Sequence, residues 1–367
     1  GVAPGAYLVD VKVLTDAGGT NAQNTLRGLQ WAINNVDTDW GNNQSSNGID
    51  ILSMSYGSVT NPNSDDPGDN GTSAESSLVN QASDAGLICV IAMGNDGIRR
   101  VPSPASADTS IAVGAIDEKD THDRENDEIA SYSNWGPRED DGDDDDWDEL
   151  KPDVVAPGSG INAARHEAGS LQFPNQPRPM ADNSYISLDG TSMATPGSAG
   201  VAALMYQANP ELSPIDVRNI MQETSDYRQC HHKGANQPCA EDGTSLKPRQ
   251  NNVYGHGEVR AHPAVMEAAN QVYGFTDTVA VNISTPSMSD NKVHVGQGLS
   301  VKFTIDGAAE KIQWRTWDMR DEWMDLIEYE PGSGQFEIKH DMFVDGLKYL
   351  PGNTIEGNQT LMVRALV

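Results

Sequence analysis

Positive charge, aromatic side chains, cysteine and long apolar runs are all scarce in this chain of 367 residues. Lysine and arginine together number 24 against 54 aspartates and glutamates, a formal net charge of −30. A surface so poor in cations repels phosphate backbones, which excludes nucleic acid as a partner. No apolar run approaches the roughly 20 residues that a membrane-spanning helix needs. Three cysteines allow one disulfide at most. Aromatic residues make up 6% of the chain. Few lysines and few large apolar side chains beside many acids suit a secreted, extracellular protein from salty surroundings.

What the chain has is length enough for two domains, one of about 270 residues and one of about 90. Its central feature is residues 190–200, Gly-Thr-Ser-Met-Ala-Thr-Pro-Gly-Ser-Ala-Gly, which run into the apolar stretch Val201–Met205. Gly190 permits an unusual turn. Thr191 is a good N-cap, and Pro196 is expected in the first helical turn, where its missing N–H costs little. Ser192 then sits at the positive end of a helix beside unpaired N–H groups. Those groups suit the oxyanion that forms when a serine attacks a carbonyl. A capped core helix with an inert serine reads the same way from this stretch alone.

Upstream, Tyr7–Leu14 is β-branched and reads as a strand, and a helix from near Thr20 places Leu26, Leu29, Ile33 and Val36 on one face. Two apolar strands follow. The first, 48–57, ends in Ser55-Tyr56-Gly57, and the second, 87–92, ends in Met93-Gly94-Asn95-Asp96-Gly97. Between them a loop over 58–73 leads to a helix from about Ser73 to Ala85, closed by Gly86. After the central helix, Ser213 caps another that has Pro214 at its first position, and a last helix runs to about Val272.

Taken together, Gly-Thr-Ser-Met-Ala-Thr-Pro, Gly-Val-Ala-Pro-Gly-Ala at 1–6, Gly94-Asn95, Lys151–Gly158 and Tyr254–Val259 resemble the subtilases, the subtilisin-like serine proteases, over residues 1 to about 269. The resemblance implies an α/β fold, a doubly wound, mostly parallel sheet flanked by helices. It implies Ser192 as nucleophile and Asn95 as the side-chain donor to the oxyanion. It also implies one wall of the P1 pocket at Ser55, Tyr56 and Gly57, pairing with substrate backbone, and the opposite wall at Ala92, Met93 and Gly94. Tyr56 is then expected to crowd the pocket edge, and Arg99 and Arg100 to line its floor and favour acidic side chains.

The same resemblance leaves a gap. All eight histidines lie after residue 120, and none has the family's His-Gly-Thr context. The family's catalytic aspartate and histidine precede the Gly-Val-Ala-Pro segment, so the chain is expected to be a fragment that begins in mid-domain and is inactive alone. Its parent is expected to be a serine endopeptidase acting on protein or peptide substrates, with no cofactor required. A pseudoprotease or secreted binding protein is the main alternative. An esterase and a sedolisin-type peptidase are others, although Met-Ala-Thr-Pro argues against the last.

Two local features remain. Residues 139–149 carry nine acids in eleven positions, a solvated loop or a structural calcium site. Cys230 and Cys239, with His231 and His232 between them, read as a disulfide or alternatively as a zinc site, while Cys89 in its apolar strand reads as a buried free thiol. Domain boundaries are expected at 1–274 and 277–367. The second segment alternates apolar and polar residues at 279–283, 299–303, 311–315, 335–338 and 360–365, the pattern of an antiparallel β-sandwich. It resembles immunoglobulin-like modules, incomplete at its end, that attach secreted proteins to a surface or partner.

Overall fold

The computed structural model describes residues 1–273 apart from 16–17, 42–47, 59–67, 120, 122–123, 143–148, 166–177, 180–184 and 231–249. In the remainder it describes the strands 299–304, 311–316, 324–325, 335–340 and 361–366. The chain divides into two compact units, Gly1–Tyr273 and Gly274–Val367.

The first unit is built on a sheet of β1 (Ile51–Met54), β2 (Ile88–Ala92), β3 (Ile111–Asp117), β4 (Glu128–Ile129) and β5 (Val154–Pro157). Strands β1, β2, β3 and β5 run parallel, and only β4 is antiparallel to β3. Every residue of β2 is buried, as a central parallel strand covered on both faces must be. Its side chains alternate between two cores. Ile88 and Val90 join Ala194, Ala202, Met205, Met221 and Ala268 on one face. Cys89 and Ile91 join Leu29, Ala32, Val79 and Ala82 on the other. Helices α1 (Ala22–Ile33) and α2 (Ala74–Asp84) therefore cover one side. Helices α3 (Thr191–Ala208), α4 (Pro214–Thr224) and α5 (Ala261–Tyr273) cover the opposite side. Both α2 and α4 start as their sequences dictate: Ser73 accepts from Ser76 N–H, and Ser213 with Asp216 forms a capping box.

A small antiparallel sheet of β6 (Ile161–Ala164), β7 (Arg178–Pro179) and β8 (Tyr185–Leu188), in the order β6-β8-β7, leads into α3. Its strands are only two to four residues long, and sequence reading does not detect it. The expected strand at Tyr7–Leu14 does not form. Residues 7–13 pair with no other strand among the described residues, and Tyr7, Leu8 and Val9 are 68%, 95% and 50% exposed. Strand propensity alone cannot supply the hydrogen-bonded neighbour that makes an extended segment a strand.

In the second unit the described strands form two antiparallel sheets. One is β11 (Met324–Asp325), β10 (Lys311–Thr316) and β13 (Leu361–Leu366); the other is β9 (Leu299–Thr304) with β12 (Gln335–His340). The expected strand at 279–283 lies outside the described residues.

Helix α4 is tied to the sheet by a buried ionic hub. Asp153, fully buried just before β5, accepts from Ala112 N–H at 2.7 Å, Lys151 Nζ at 3.0 Å, and Arg218 Nε and Gln222 Nε2 of α4, both at 2.8 Å. Burial pushes its carboxyl up, but Arg218 and Lys151 outweigh that and hold it down at about 2. A carboxyl depressed in the native state stabilises the fold above its unfolded value and loses that contribution as pH falls through the folded one. Native stability should therefore drop between about pH 3.8 and about 2. Asp153→Ala strands the buried Lys151 ammonium. It should cost about 3–5 kcal/mol, lowering Tm by on the order of 10 °C in a thermal melt at pH 7. An unchanged Tm would show that the hub contributes nothing.

Candidate active site

Three chain segments meet at the N-terminus of α3. Gly190, at φ 156° and ψ 156°, turns the chain into the helix in a backbone region that is essentially glycine's alone. No side chain caps this helix; the expected N-cap, Thr191, is instead its first residue. Its hydroxyl has other work: it accepts from Gly94 N–H at 3.1 Å and donates to Asn95 Oδ1 at 3.0 Å. Thr191 N–H also donates to Asn95 Oδ1, at 2.8 Å. Both bonds use the carbonyl oxygen of the Asn95 side chain, so neither engages its Nδ2 donors. The ideal Cβ position at Gly190 lies 3.6 Å from Asn95 Nδ2 and 3.6 Å from Ser192 N. The Asn95 Oδ1 lies at the same 3.6 Å from that position, so the Asn95 side chain and the Ser192 peptide both flank Gly190.

Pro196 sits in the interior of α3, beyond the first turn. Its missing N–H frees the Ser192 carbonyl, the acceptor four residues back. Ser55 Oγ, just past the end of β1, donates to that carbonyl at 3.0 Å, and Ser192 Oγ lies 3.5 Å from Ser55 O. The proline thus opens a docking point through which the strand end is fastened to the nucleophile's own peptide. Small residues allow the helix to lie close. Ala194, Ala199, Ala202 and Met205 of α3 belong to the core that Val90, Val113 and Val154 of the sheet also build.

Alternation along β1 separates the two roles of its C-terminal end. Met54 and Tyr56 turn toward the core under α1 and α2, while Ser55 and Gly57 face outward. Tyr56 donates to Met54 Sδ, and burial raises its phenol pKa. Its ring is half-buried against a core that also holds Met93 and Val101. Across the cleft, Ala92 and Met93 are buried and Gly94 is half-buried. Arg100 is 2% exposed with Nη1 3.4 Å from Asp96 Oδ2, and Arg99 Nε donates to Pro137 O at 3.4 Å. Both guanidinium groups have partners in the 96–97 and 137 turns.

The other expected features lie away from this cleft. Cys230 is buried and disulfide-bonded, Cys89 is buried and free, and Cys239 lies outside the described residues. Carboxylate oxygens of Asp140, Asp141 and Glu149 fall within 4.8 Å of one another. The buried Arg138 guanidinium stands among them, 3.2 Å from Asp141 and 3.7 Å from Glu149, so the cluster already holds a fixed cation. Among the described residues no helix is long and apolar enough to cross a membrane.

Thr191 was legible only as a cap; its hold on Asn95 depends on a contact across 96 residues of chain. Thr191→Val leaves the Gly94 N–H without its acceptor and Asn95 short of one donor. It should cost about 1–3 kcal/mol in urea denaturation, with Thr191→Ser recovering most of the loss. Equal losses in the two variants would assign the effect to packing rather than to the hydroxyl.

The model of the subtilase family matches residues 1–257. Serine protease AprX of Bacillus subtilis (strain 168) is 31% identical over 273 residues, covering 72% of this chain and 52% of AprX. Subtilisin Savinase of Lederbergia lenta is 32% identical over 264 residues, covering 72% of this chain and 70% of Savinase. A solved structure of a cold adapted subtilisin-like serine proteinase aligns with a TM-score of 0.44 at 26% identity, covering 64% of this chain and 66% of that one. The chain spans about half the length of several curated relatives that it matches, AprX and alkaline elastase YaB of Bacillus sp. (strain YaB) among them. With a family match across most of its length and a serine seated at the mouth of a buried helix, this chain belongs to the subtilase family.

Proposed function

We propose that this chain carries the nucleophile half of a secreted serine endopeptidase, which hydrolyses peptide bonds through an acyl-enzyme on Ser192. The observation that carries the reading is the α3 turn, where the Asn95 side chain and the Ser192 peptide both lie 3.6 Å from the ideal Cβ position of Gly190 and Ser192 Oγ lies 3.5 Å from Ser55 O. A peptide laid along Ser55–Gly57 presents its carbonyl carbon to Ser192 Oγ. The oxygen that gains charge is then met by Ser192 N–H and Asn95 Nδ2, at the positive end of α3. In subtilisin, loss of the equivalent side-chain donor costs about 10²–10³ in turnover.

The serine's proton must go to a base, and the described partner of Ser192 Oγ is a carbonyl, Ser55 O. Of the histidines whose side chains are described, His256 belongs to the turn bonded to Asp153 and His262 to the first turn of α5. This supports the reading that the catalytic histidine and aspartate come from sequence outside this chain. It also favours a second reading, a pseudoprotease whose strand-rich second unit serves attachment to a surface or partner. In the first reading that unit has the same role, attached to an active enzyme.

Removing the histidine from subtilisin lowers turnover by about 10⁶. The purified 367-residue chain should therefore show no peptide-anilide hydrolysis above background. The full-length gene product should be active, and Ser192→Ala should abolish its activity. Hydrolysis by the 367-residue chain that Ser192→Ala removes would place the base within it. An inert full-length product would leave the pseudoprotease.

A further inference from the structure

Resting on the oxyanion role proposed above for Asn95, we propose that Asn134 is a positioning residue that aims the Asn95 amide by fixing the backbone on both sides of it. Asn134 lies in the segment after β4 and is 1% exposed. Its N–H donates to Gly94 O at 3.1 Å, and its Oδ1 accepts from Asp96 N–H at 2.8 Å. The first bond orients the peptide before Asn95, and the second orients the peptide after it. A residue has only two soft backbone dihedrals, and these two peptide planes set both of them. Thr191 holds the side chain of Asn95 by its oxygen, so backbone and side chain are each fixed from outside the turn. Asn134 Nδ2 completes the clamp by donating to Asp96 Oδ2 at 3.3 Å.

Gly94 makes the clamp possible. It stands at φ 97°, in the left-handed region that favours glycine, and the ideal Cβ position there falls 2.6 Å from Asn134 Nδ2. The Asn134 amide thus occupies the volume that a side chain at 94 would need. The clamp is itself braced. Gly97 N–H donates to Tyr132 O at 2.8 Å, Trp135 N–H to Ile98 O at 3.2 Å and Arg100 N–H to Trp135 O at 2.9 Å, which lays the turn along 132–135. Ala115 N–H donates to Ser133 Oγ at 3.0 Å and Ala130 N–H to Ala115 O at 2.9 Å, fastening that segment to β3. A buried amide with donor and acceptor both engaged is costly to remove. Without it the turn keeps the wide backbone freedom of Gly94, and the Asn95 amide loses its aim. Misplacing a reacting or stabilising group by about 1 Å can cost on the order of 10²-fold in rate.

The test is a double-mutant cycle in the full-length gene product, read as kcat and KM on a peptide anilide together with Tm. Asn95→Ala should lower kcat by about 10²–10³. Asn134→Ala should lower kcat by about 10–100-fold and leave KM within about twofold. In the Asn95→Ala background the same substitution should change kcat by less than about twofold, because the amide it aims is gone. Should Asn134→Ala fail to fold, exchanging the two side chains carries the test. Asn134→Asp alone sets two carboxylates together and should lower kcat. Combined with Asp96→Asn it restores a donor opposite an acceptor and should recover most of the loss. A folded Asn134→Ala with unchanged kcat, an equal loss in both backgrounds, or no recovery on exchange overturns the positioning role and leaves the endopeptidase reading intact. An Asn95→Ala variant as active as the natural protein, or an inert full-length product, overturns the oxyanion reading and the role of Asn134 with it.

Discussion

Two hydrogen-bonded junctions at the first turn of α3 hold the site together. At one, Thr191 grips the Asn95 side chain by its oxygen and Gly94 by its N–H. At the other, Ser55 takes the Ser192 carbonyl that Pro196 leaves without its helical partner. Parallel strands β1 and β2 end at the same edge, so both junctions fall at the carboxyl ends of neighbouring strands, where open α/β sheets place their sites. Without the two junctions, a helix, a strand end and a turn would each keep their local form and lose their common geometry.

Rigidity around that edge comes from buried charge and buried hydroxyls as well as from the apolar cores on both faces of the sheet. Asp153 binds β3 and α4 to the start of β5. Arg138 bonds Asn70 O and Ser106 O and lies 2.8 Å from Asp108, tying the loop before α2 to the segment behind the cleft. Such networks are costly to desolvate and costly to break. They therefore specify one arrangement strongly, as a site that must keep two strand ends and a helix in register requires.

Much of this was legible in the sequence where the signal is local. The cap at Ser213 with Pro214 after it, the helix start near Ser73, the apolar runs of β1 and β2 and the glycine before Thr191 each announce an element through chemistry within four residues. What escaped was set by distance. Thr191 looks like a cap, and only the fold shows its hydroxyl spent on residues 94 and 95. Pro196 looks like a first-turn proline, and only the fold supplies Ser55 to take the carbonyl it frees. Tyr56 packs beside Met54 in the core under α1 and α2, a contact its place in a motif does not announce. The Tyr7–Leu14 segment shows the converse: its propensity was read correctly, yet a strand exists only beside another.

The central claim is that Ser192 and Asn95 act on the same atom. A crystal structure of the full-length gene product phosphonylated at Ser192, formed with a small fluorophosphonate, tests it most directly. The account predicts one phosphonyl oxygen about 2.7–3.1 Å from both Asn95 Nδ2 and Ser192 N. An adduct whose oxygens all point away from Asn95, with Thr191 still holding that side chain, would contradict it.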